Sequence, residues 1–236
     1  MKNLIFIALL IYSSSSFSQQ DFGIKVNGGV SQITAKINSS GDIVTQKFYF
    51  LPSFQAGFLY HLHLGKKSLL GTEILFMQIE GKEHMQTQDI DSYGNPTGFI
   101  TTTDISRHIS YLSIPIYYGY KIKKFSINFG FQVGIPIKSS ARYKTEYVYN
   151  GDKIISDDNY NSLPIDNYDF GTKSGLMYNL SKKFTIETTY YYGLNNIYKS
   201  NQIFSANILP IFTMKIQQFT FGIIYKFYSR EKKTSS

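Results

Sequence analysis

The chain has no cysteine in its 236 residues, so disulfides, thiolate metal sites and cysteine nucleophiles are excluded. Tryptophan is absent too, and proline is scarce, with six residues. Charged residues make up 17%, against roughly 25% in an ordinary soluble domain. No apolar run approaches the roughly 20 residues of a membrane-spanning helix. No segment holds a 3.6-residue period, which argues against bundles and coiled coils. What is abundant is aromatic: 20 Tyr and 19 Phe bring that class to 17%. A chain so aromatic and so poor in charge can bury enough apolar surface to fold, which excludes disorder.

The N-terminus reads as a targeting segment. Lys2 precedes an unbroken apolar run from Leu4 to Tyr12, and a serine stretch leads to Ser16-Phe17-Ser18 before Gln19. Charged, apolar, then small-x-small is the order of a secretory signal peptide. Residues 1–18 are expected to be removed, residues 19–228 to form one barrel domain, and residues 229–236 a short polar tail.

After Gln19 the recurring signal is a period of two, which marks strands. Phe22, Ile24, Val26 and Val30 share one face of the first segment, with Lys25, Asn27 and Gly29 on the other. Phe125, Ile127, Phe129, Phe131, Val133, Ile135 and Ile137 alternate with Ser126, Asn128, Gly130, Gln132, Gly134, Pro136 and Lys138, the cleanest case. Eight such segments appear, beginning near residues 22, 53, 70, 111, 125, 168, 184 and 219. Short connections fall at 64–68, 121–124 and 179–183, and long polar ones around 37–47, 82–107, 139–166 and 196–210. An even strand count, with short turns on one side and long loops on the other, is the pattern of an outer-membrane barrel. Closure is required because an open sheet edge cannot lie in hydrocarbon. The expected fold is all-β: an eight-stranded antiparallel up-and-down transmembrane β-barrel, apolar face to lipid and Gly, Ser, Asn and Gln to the lumen.

The formal net charge is +8, which by itself suggests nucleic acid or an anionic surface. Its distribution argues otherwise. The short turns and the tail carry Lys66, Lys67, Lys121, Lys123, Lys124, Lys182, Lys183, Arg230, Lys232 and Lys233 against Glu231. Nucleic-acid recognition needs one basic face interleaved with stacking aromatics; no nucleic-acid partner is expected. A soluble lipocalin-like barrel is the rival architecture. It would turn the polar face to water, and such an exterior carries Lys and Glu rather than Gly, Ser, Asn and Gln.

The run Tyr111-Leu112-Ser113-Ile114-Pro115 resembles the Tyr-Leu-x-Ile-Pro signature of the PorT-like outer-membrane β-barrel family. Tyr192-Gly193-Leu194-Asn195-Asn196-Ile197 is similar to that family's Tyr-x-Gly-Leu-x-Asn-Ile segment. Glu73 with Leu75, and Asp169-Phe170-Gly171, look like two further family positions. The resemblance implies an eight-stranded barrel in a Gram-negative outer membrane. The family's named member belongs to a protein-secretion machinery, so an accessory export subunit is one implied role. The chain departs at its end, where nine residues from Tyr228 to Ser236 follow Phe227.

Several residues invite functional readings. Lys25, Glu73, Asp169, Lys173, Glu187 and Lys226 fall on lumen faces; in a barrel this narrow, side chains fill the interior, so these charges are expected to pair as a structural network. Pro115 and Pro136 lie inside strands, where a missing N–H calls for a bulge or kink. His61 and His63 share a face but lack an evident third ligand, so no metal or cofactor is expected. His108-x-Ser110 resembles the His-x-Ser pair of the lipid A deacylase, but no carboxylate lies between Asp104 and Glu146 to orient the imidazole. No enzymatic activity is therefore expected. The third long loop, with Tyr143, Tyr147, Tyr149 and Tyr160 beside Asp157 and Asp158, is the expected recognition surface. Expected partners are outer-membrane lipid, the barrel-insertion machinery during biogenesis, and an unidentified protein at the loops.

Overall fold

The computed structural model describes residues 19–37, 43–163, 165, 168–198 and 211–229. Residues 1–18, on which the expected signal segment falls, most of the expected tail and residues 199–210 lie outside that range. Among the described residues nine strands form in chain order: β1 (Gln19–Ile37), β2 (Ile43–His63), β3 (Ser68–Ile90), β4 (Pro96–Ile122), β5 (Phe125–Tyr149), β6 (Asp152–Tyr160), β7 (Asp169–Asn179), β8 (Phe184–Gly193) and β9 (Ile211–Ser229). All pairings are antiparallel, and β1 pairs with β9 to close the ring. β6 and β7 are two parts of one wall position. β6 pairs with Ala141–Tyr149 of β5, whereas β7 pairs with Phe125–Gly134 lower on the same strand. The ring is therefore eight strands around.

Exposure settles which face meets lipid. Phe22, Ile24, Val26, Phe58, Ile74, Ile116, Ile127, Phe129, Phe221 and Ile223 all point outward and are exposed. Ser31, Gln55, Glu73, Ser113, Asn128, Thr189 and Thr220 point inward and are buried. A lipocalin-like barrel would hide the first set and show the second. Only a hydrocarbon surround makes an unbroken exposed apolar belt favourable.

The connections differ from the sequence expectation. Residues 82–107 are not a loop: β3 runs 23 residues and β4 runs 27, with a tip only at 91–95. Likewise β5 runs 25 residues and turns at Asn150-Gly151 into β6. A tilted crossing needs roughly 9–11 residues, so these hairpins stand well clear of the membrane. Asn150 (φ 50°) and Gly151 (φ 92°) are both left-handed, the two-residue turn whose twist matches its strands. At the other tip the Asp91 carboxylate accepts hydrogen bonds from the backbone N–H groups of Tyr93 and Asn95, each at 2.8 Å.

The lumen also departs from a uniformly polar interior. Along β3 the outward residues change from Leu70, Ile74 and Phe76 to Gln78, Glu80, Lys82 and His84, while Leu75, Met77, Ile79 and Met85 turn inward. The same inversion occurs on β1 after Val30, on β4 above Leu112 and on β9 before Phe219. Cross-strand pairs Val30–Phe219, Phe76–Leu112 and Leu112–Ile135 place these changes at one level. Beyond it the barrel is built like a water-soluble one. Ile33, Leu75, Met77, Ile79, Ile105, Ile109, Tyr111, Tyr143, Met214 and Ile216 belong to a single buried apolar core there.

The two prolines resolve differently. The β4–β5 register slips between Ser110–Lys138 and Tyr111–Pro136, leaving Ile137 as a bulge beside Pro136. This extra residue flips the phase of β5, so even positions face inward below it and Ala141 and Tyr143 face inward above it. Pro115, by contrast, forms no bulge. The β3–β4 ladder skips it without changing register, and its carbonyl accepts a hydrogen bond from the Thr72 hydroxyl at 3.1 Å.

Candidate functional site in the lumen and outer hairpins

Halfway up the lumen four strands aim charged groups at one another. Lys25 Nζ lies 2.5 Å from Glu187 Oε2 and 3.1 Å from both oxygens of Glu73. Lys173 Nζ donates to Glu73 Oε2 at 2.6 Å and sits 5.1 Å above the Tyr117 ring. The Tyr117 hydroxyl donates to Glu73 Oε1 at 2.8 Å, and His61 Nε2 stands 2.7 Å from that hydroxyl. Asn27 donates to Glu187 at 3.3 Å. Two lysines thus balance two glutamates with no exposure to solvent worth the name. Glycine opposite the rings makes the arrangement fit: a Cβ on Gly71 would lie 2.3 Å from Tyr117 Cε2.

The six charges read from the sequence fall into three groups rather than one network. Lys25, Glu73, Lys173 and Glu187 form the central quartet. Lys226 belongs to the short-turn mouth, where it and His63 both contact Asp21 Oδ2 at 3.0 Å. Asp169 stands apart, buried near Tyr111 and Tyr191. His61 and His63 turn to different partners, Tyr117 and Asp21, instead of sharing one. Sequence reading missed Tyr117 and Asn27; their inward position on β4 and β1 was legible, their role was not.

The residues that carried the family resemblance make a clasp where β8 ends. Asn195 accepts a hydrogen bond from Phe170 N–H at 2.7 Å and donates to the Tyr168 carbonyl at 2.5 Å. Leu194 N–H donates to the Phe170 carbonyl at 2.8 Å. The Asn196 side-chain oxygen accepts from Met214 N–H at 2.8 Å, tying β9 to the same corner. Each bond satisfies a backbone group at a strand end, so this cluster secures the fold.

On the outer hairpins a second buried ion pair joins Arg107 to Glu83 at 2.5 Å, and Gln46 also contacts Glu83. Facing outward, His108 Nδ1 lies 3.0 Å from Glu80 Oε1. The carboxylate absent from the following strand is thus supplied by the preceding one, correcting the sequence-level exclusion. Ser140 pairs across from His108 on β5. No serine hydroxyl hydrogen-bonds His108 among the described residues, so base and nucleophile are not joined. These residues edge an open pocket of about 320 Å³ where β6 gives way to β7.

The expected recognition residues also divide. Tyr143 is buried, pointing inward against Tyr160 with ring centroids 5.2 Å apart; Tyr160 packs on the core beside it. Tyr143 thus offers no free surface, which corrects that reading for it, whereas Tyr160 is half-buried and lines the open pocket. Tyr147 and Tyr149 remain on the rim with Phe99, at 6.2 and 6.1 Å. Asp158 accepts from Ser156 at 2.9 Å. Arg142 donates to both oxygens of Asp157, at 2.9 and 2.6 Å. That guanidinium, by hydrogen bonding first and charge second, holds the Asp157 carboxyl below its usual range. A depressed acid stabilises the fold above its unfolded value and loses that contribution as pH falls through the folded one. The β5–β6 pair should therefore persist at pH 4. An NMR titration of the Asp157 carboxyl should give a midpoint below the ordinary ~3.9; a midpoint at that value would contradict the pairing.

A closed ring with an apolar outer belt, a charge-filled lumen and hairpins projecting from one end defines an integral membrane β-barrel. The family described as Outer membrane protein beta-barrel domain matches residues 17–199, and the chain belongs to it. Its location is accordingly the outer membrane of a Gram-negative bacterium. Among curated proteins nothing matches the chain. Solved structures similar to it include Neisserial surface protein A (10% identity, 87% of this chain and 97% of that one, TM-score 0.40). OprG from Pseudomonas aeruginosa is 11% identical over 88% and 96% of the two chains, with a TM-score of 0.37. The outer membrane protease OmpT from Escherichia coli is 12% identical over 89% and 95%, with a TM-score of 0.36.

Proposed function

We propose that this chain is a non-enzymatic outer-membrane scaffold, sealed through its lumen, whose outer hairpins β3–β4 and β5–β6 bind a partner at the cell surface. The observation that carries this reading is the division of the barrel at the membrane level. Below it the interior is filled by the Lys25–Glu73–Lys173–Glu187 quartet, and above it by an apolar core. Such packing leaves rigid hairpins with exposed Tyr149 beside half-buried Phe99 at their rim, and rigid scaffolds are good platforms for recognition. An eight-stranded interior filled by side chains also disfavours a pore. The PorT-like signature at Tyr111–Pro115 supports a neighbouring reading, an accessory subunit of an export machine. Affinity isolation of the intact barrel, beside a Tyr147→Ser/Tyr149→Ser variant, separates these. The scaffold reading expects a surface or outer-membrane protein that co-purifies with the wild type and is lost from the variant. Retention by both, with loss of secreted cargo on deletion, would favour the export role. Single-channel steps in a planar bilayer would overturn the sealed lumen.

A further inference from the structure

Above the apolar belt a cleft crosses the outside of the barrel wall from β3 to β6. Cross-strand register sets its side chains in two rows, Glu80–His108–Ser140 below and Ser106–Arg142–Asn159 above. The residues alternating with them, Ile79, Ile105, Arg107, Ile109, Ala141 and Tyr143, are all buried, so both rows face outward. The two serines are the short members, and between the longer side chains they leave an open cleft of about 320 Å³. Glu80 holds His108 through Nδ1 at 3.0 Å, and Asp157 holds Arg142 through Nε and Nη2. Both donors are therefore fixed in place before a ligand arrives.

On the same outward faces, four residues lower, stand exposed Phe76 of β3 and Leu112 of β4, with exposed Ile137 beneath on β5. At roughly 3.3 Å per residue along strands tilted by roughly 40°, the lower row sits about 10 Å above the belt. A headgroup layer is only roughly 5–8 Å deep on each side. Phosphate and glycerol therefore lie level with the intervening row Gln78–Ser110–Lys138, below the cleft. A lipid that reaches it must carry a larger headgroup. The lining is also mixed in kind. The Glu80 carboxylate accepts, Arg142 donates, and the serine hydroxyls and the Asn159 amide do both. Phosphate, which only accepts, suits a lining of donors, and a metal cation suits acceptors alone. Sugar hydroxyls donate and accept, and so match this set. The volume lies at the lower end of small-ligand clefts, roughly 300–1,000 Å³.

We propose that this cleft binds the sugar headgroup of a membrane glycolipid in the leaflet from which the hairpins emerge. Glu80, His108, Ser140 and Asn159 bond its hydroxyls, and Phe76, Leu112 and Ile137 lie against its acyl chains. A free saccharide shares the hydroxyls but has no chains to lie along that wall. The site is separate from the Tyr147–Tyr149 rim, and it stands whichever leaflet that proves to be.

The test uses the full mature barrel in a detergent that carries no sugar. It is equilibrated with equal amounts of monoglucosyl diacylglycerol, phosphatidylethanolamine and phosphatidylglycerol of identical chains, and bound lipid is counted by native mass spectrometry. The additional hydrogen bonds to ring hydroxyls should favour the glycolipid by about tenfold over either phospholipid. Ser106→Leu/Ser140→Leu fills the cleft without touching an inward side chain and should bring the three lipids to parity. Gln32→Leu, outward above the belt on β1, should leave the preference intact. Should the double variant fail to fold, His108→Phe and Asn159→Ala replace it, and each should lower the preference severalfold. Equal binding of the three lipids by the wild type, or a preference untouched by these changes, would overturn the proposal. A preference for phosphatidylglycerol would overturn it too, since the cleft would then seek phosphate. So would complete displacement of the glycolipid by millimolar methyl glucoside, which would assign the site to a soluble sugar. Tyr147→Ser/Tyr149→Ser should keep the preference, so this site and the partner-binding rim fail separately.

Discussion

Replacing Glu73 with glutamine should be the most damaging single change in the lumen. Its carboxylate accepts from Lys25, Lys173 and Tyr117. Glu187 still faces Lys25, but Lys173 forms an ion pair with no other carboxylate among the described residues. Removing one partner of a buried ion pair leaves an uncompensated charge and costs roughly 3–5 kcal/mol. Water cannot relieve it, since Lys173 and Glu73 are both fully buried. With no tryptophan to report unfolding, the measurement is a urea titration of the folded gel mobility in phospholipid vesicles. The variant should unfold at clearly lower urea, and Glu73→Gln/Lys173→Met should recover a large part of the loss. A Glu73→Gln cost under about 1 kcal/mol would mean that the quartet contributes no more than a surface pair.

Phe129→Arg should be nearly as costly, for the opposite reason. Phe129 stands outward on β5, exposed between Ile127 and Phe131 within the apolar belt. An arginine near mid-membrane on the lipid face costs roughly 2–4 kcal/mol. Its neighbour Asn128 faces the lumen, and neither amide atom has a hydrogen-bond partner among the described residues. Asn128→Ser therefore removes little and should cost about 1 kcal/mol or less. Because a one-residue slip exchanges the two faces of a strand, the same urea titration on both variants tests register. Greater damage from Asn128→Ser would reverse the assignment of β5.

The sequence was most legible where one rule held without interruption. From Phe125 to Pro136 apolar and small polar residues alternate, and burial follows that alternation residue by residue. It was least legible where the rule persisted but its sign changed. Beyond Phe76 the period of two continues, yet apolar residues turn inward, and a polar outward row from Gln78 to Gln86 reads as loop. A lipid surround and a water surround demand opposite faces, and one strand crosses both. Asn150-Gly151, a strong hairpin signal, was available to correct the β5–β6 region. The Ile137 bulge hid the inward position of Tyr143, because one inserted residue shifts every later side chain. Four members of the quartet were visible as charges on lumen faces. Their grouping was not, because Lys25, Glu73, Lys173 and Glu187 meet only through pairings that span the closed ring. The Glu80–His108 contact was missed similarly, the acid arriving from the strand before the histidine.

The barrel is expected to stand with its basic turns in the periplasm and its long hairpins outside, as small outer-membrane barrels set short turns and longer loops. One measurement addresses this directly. An epitope tag is placed after Asn95, at the exposed tip of the β3–β4 hairpin, or after Ser68, beside the tight basic turn between β2 and β3. Such tips tolerate insertion when their backbone is exposed. In a polysaccharide-deficient strain, antibody should label the Asn95 tag on sealed cells and the Ser68 tag only after the outer membrane is opened. Labelling of Ser68 on sealed cells, with Asn95 silent until lysis, would contradict the account.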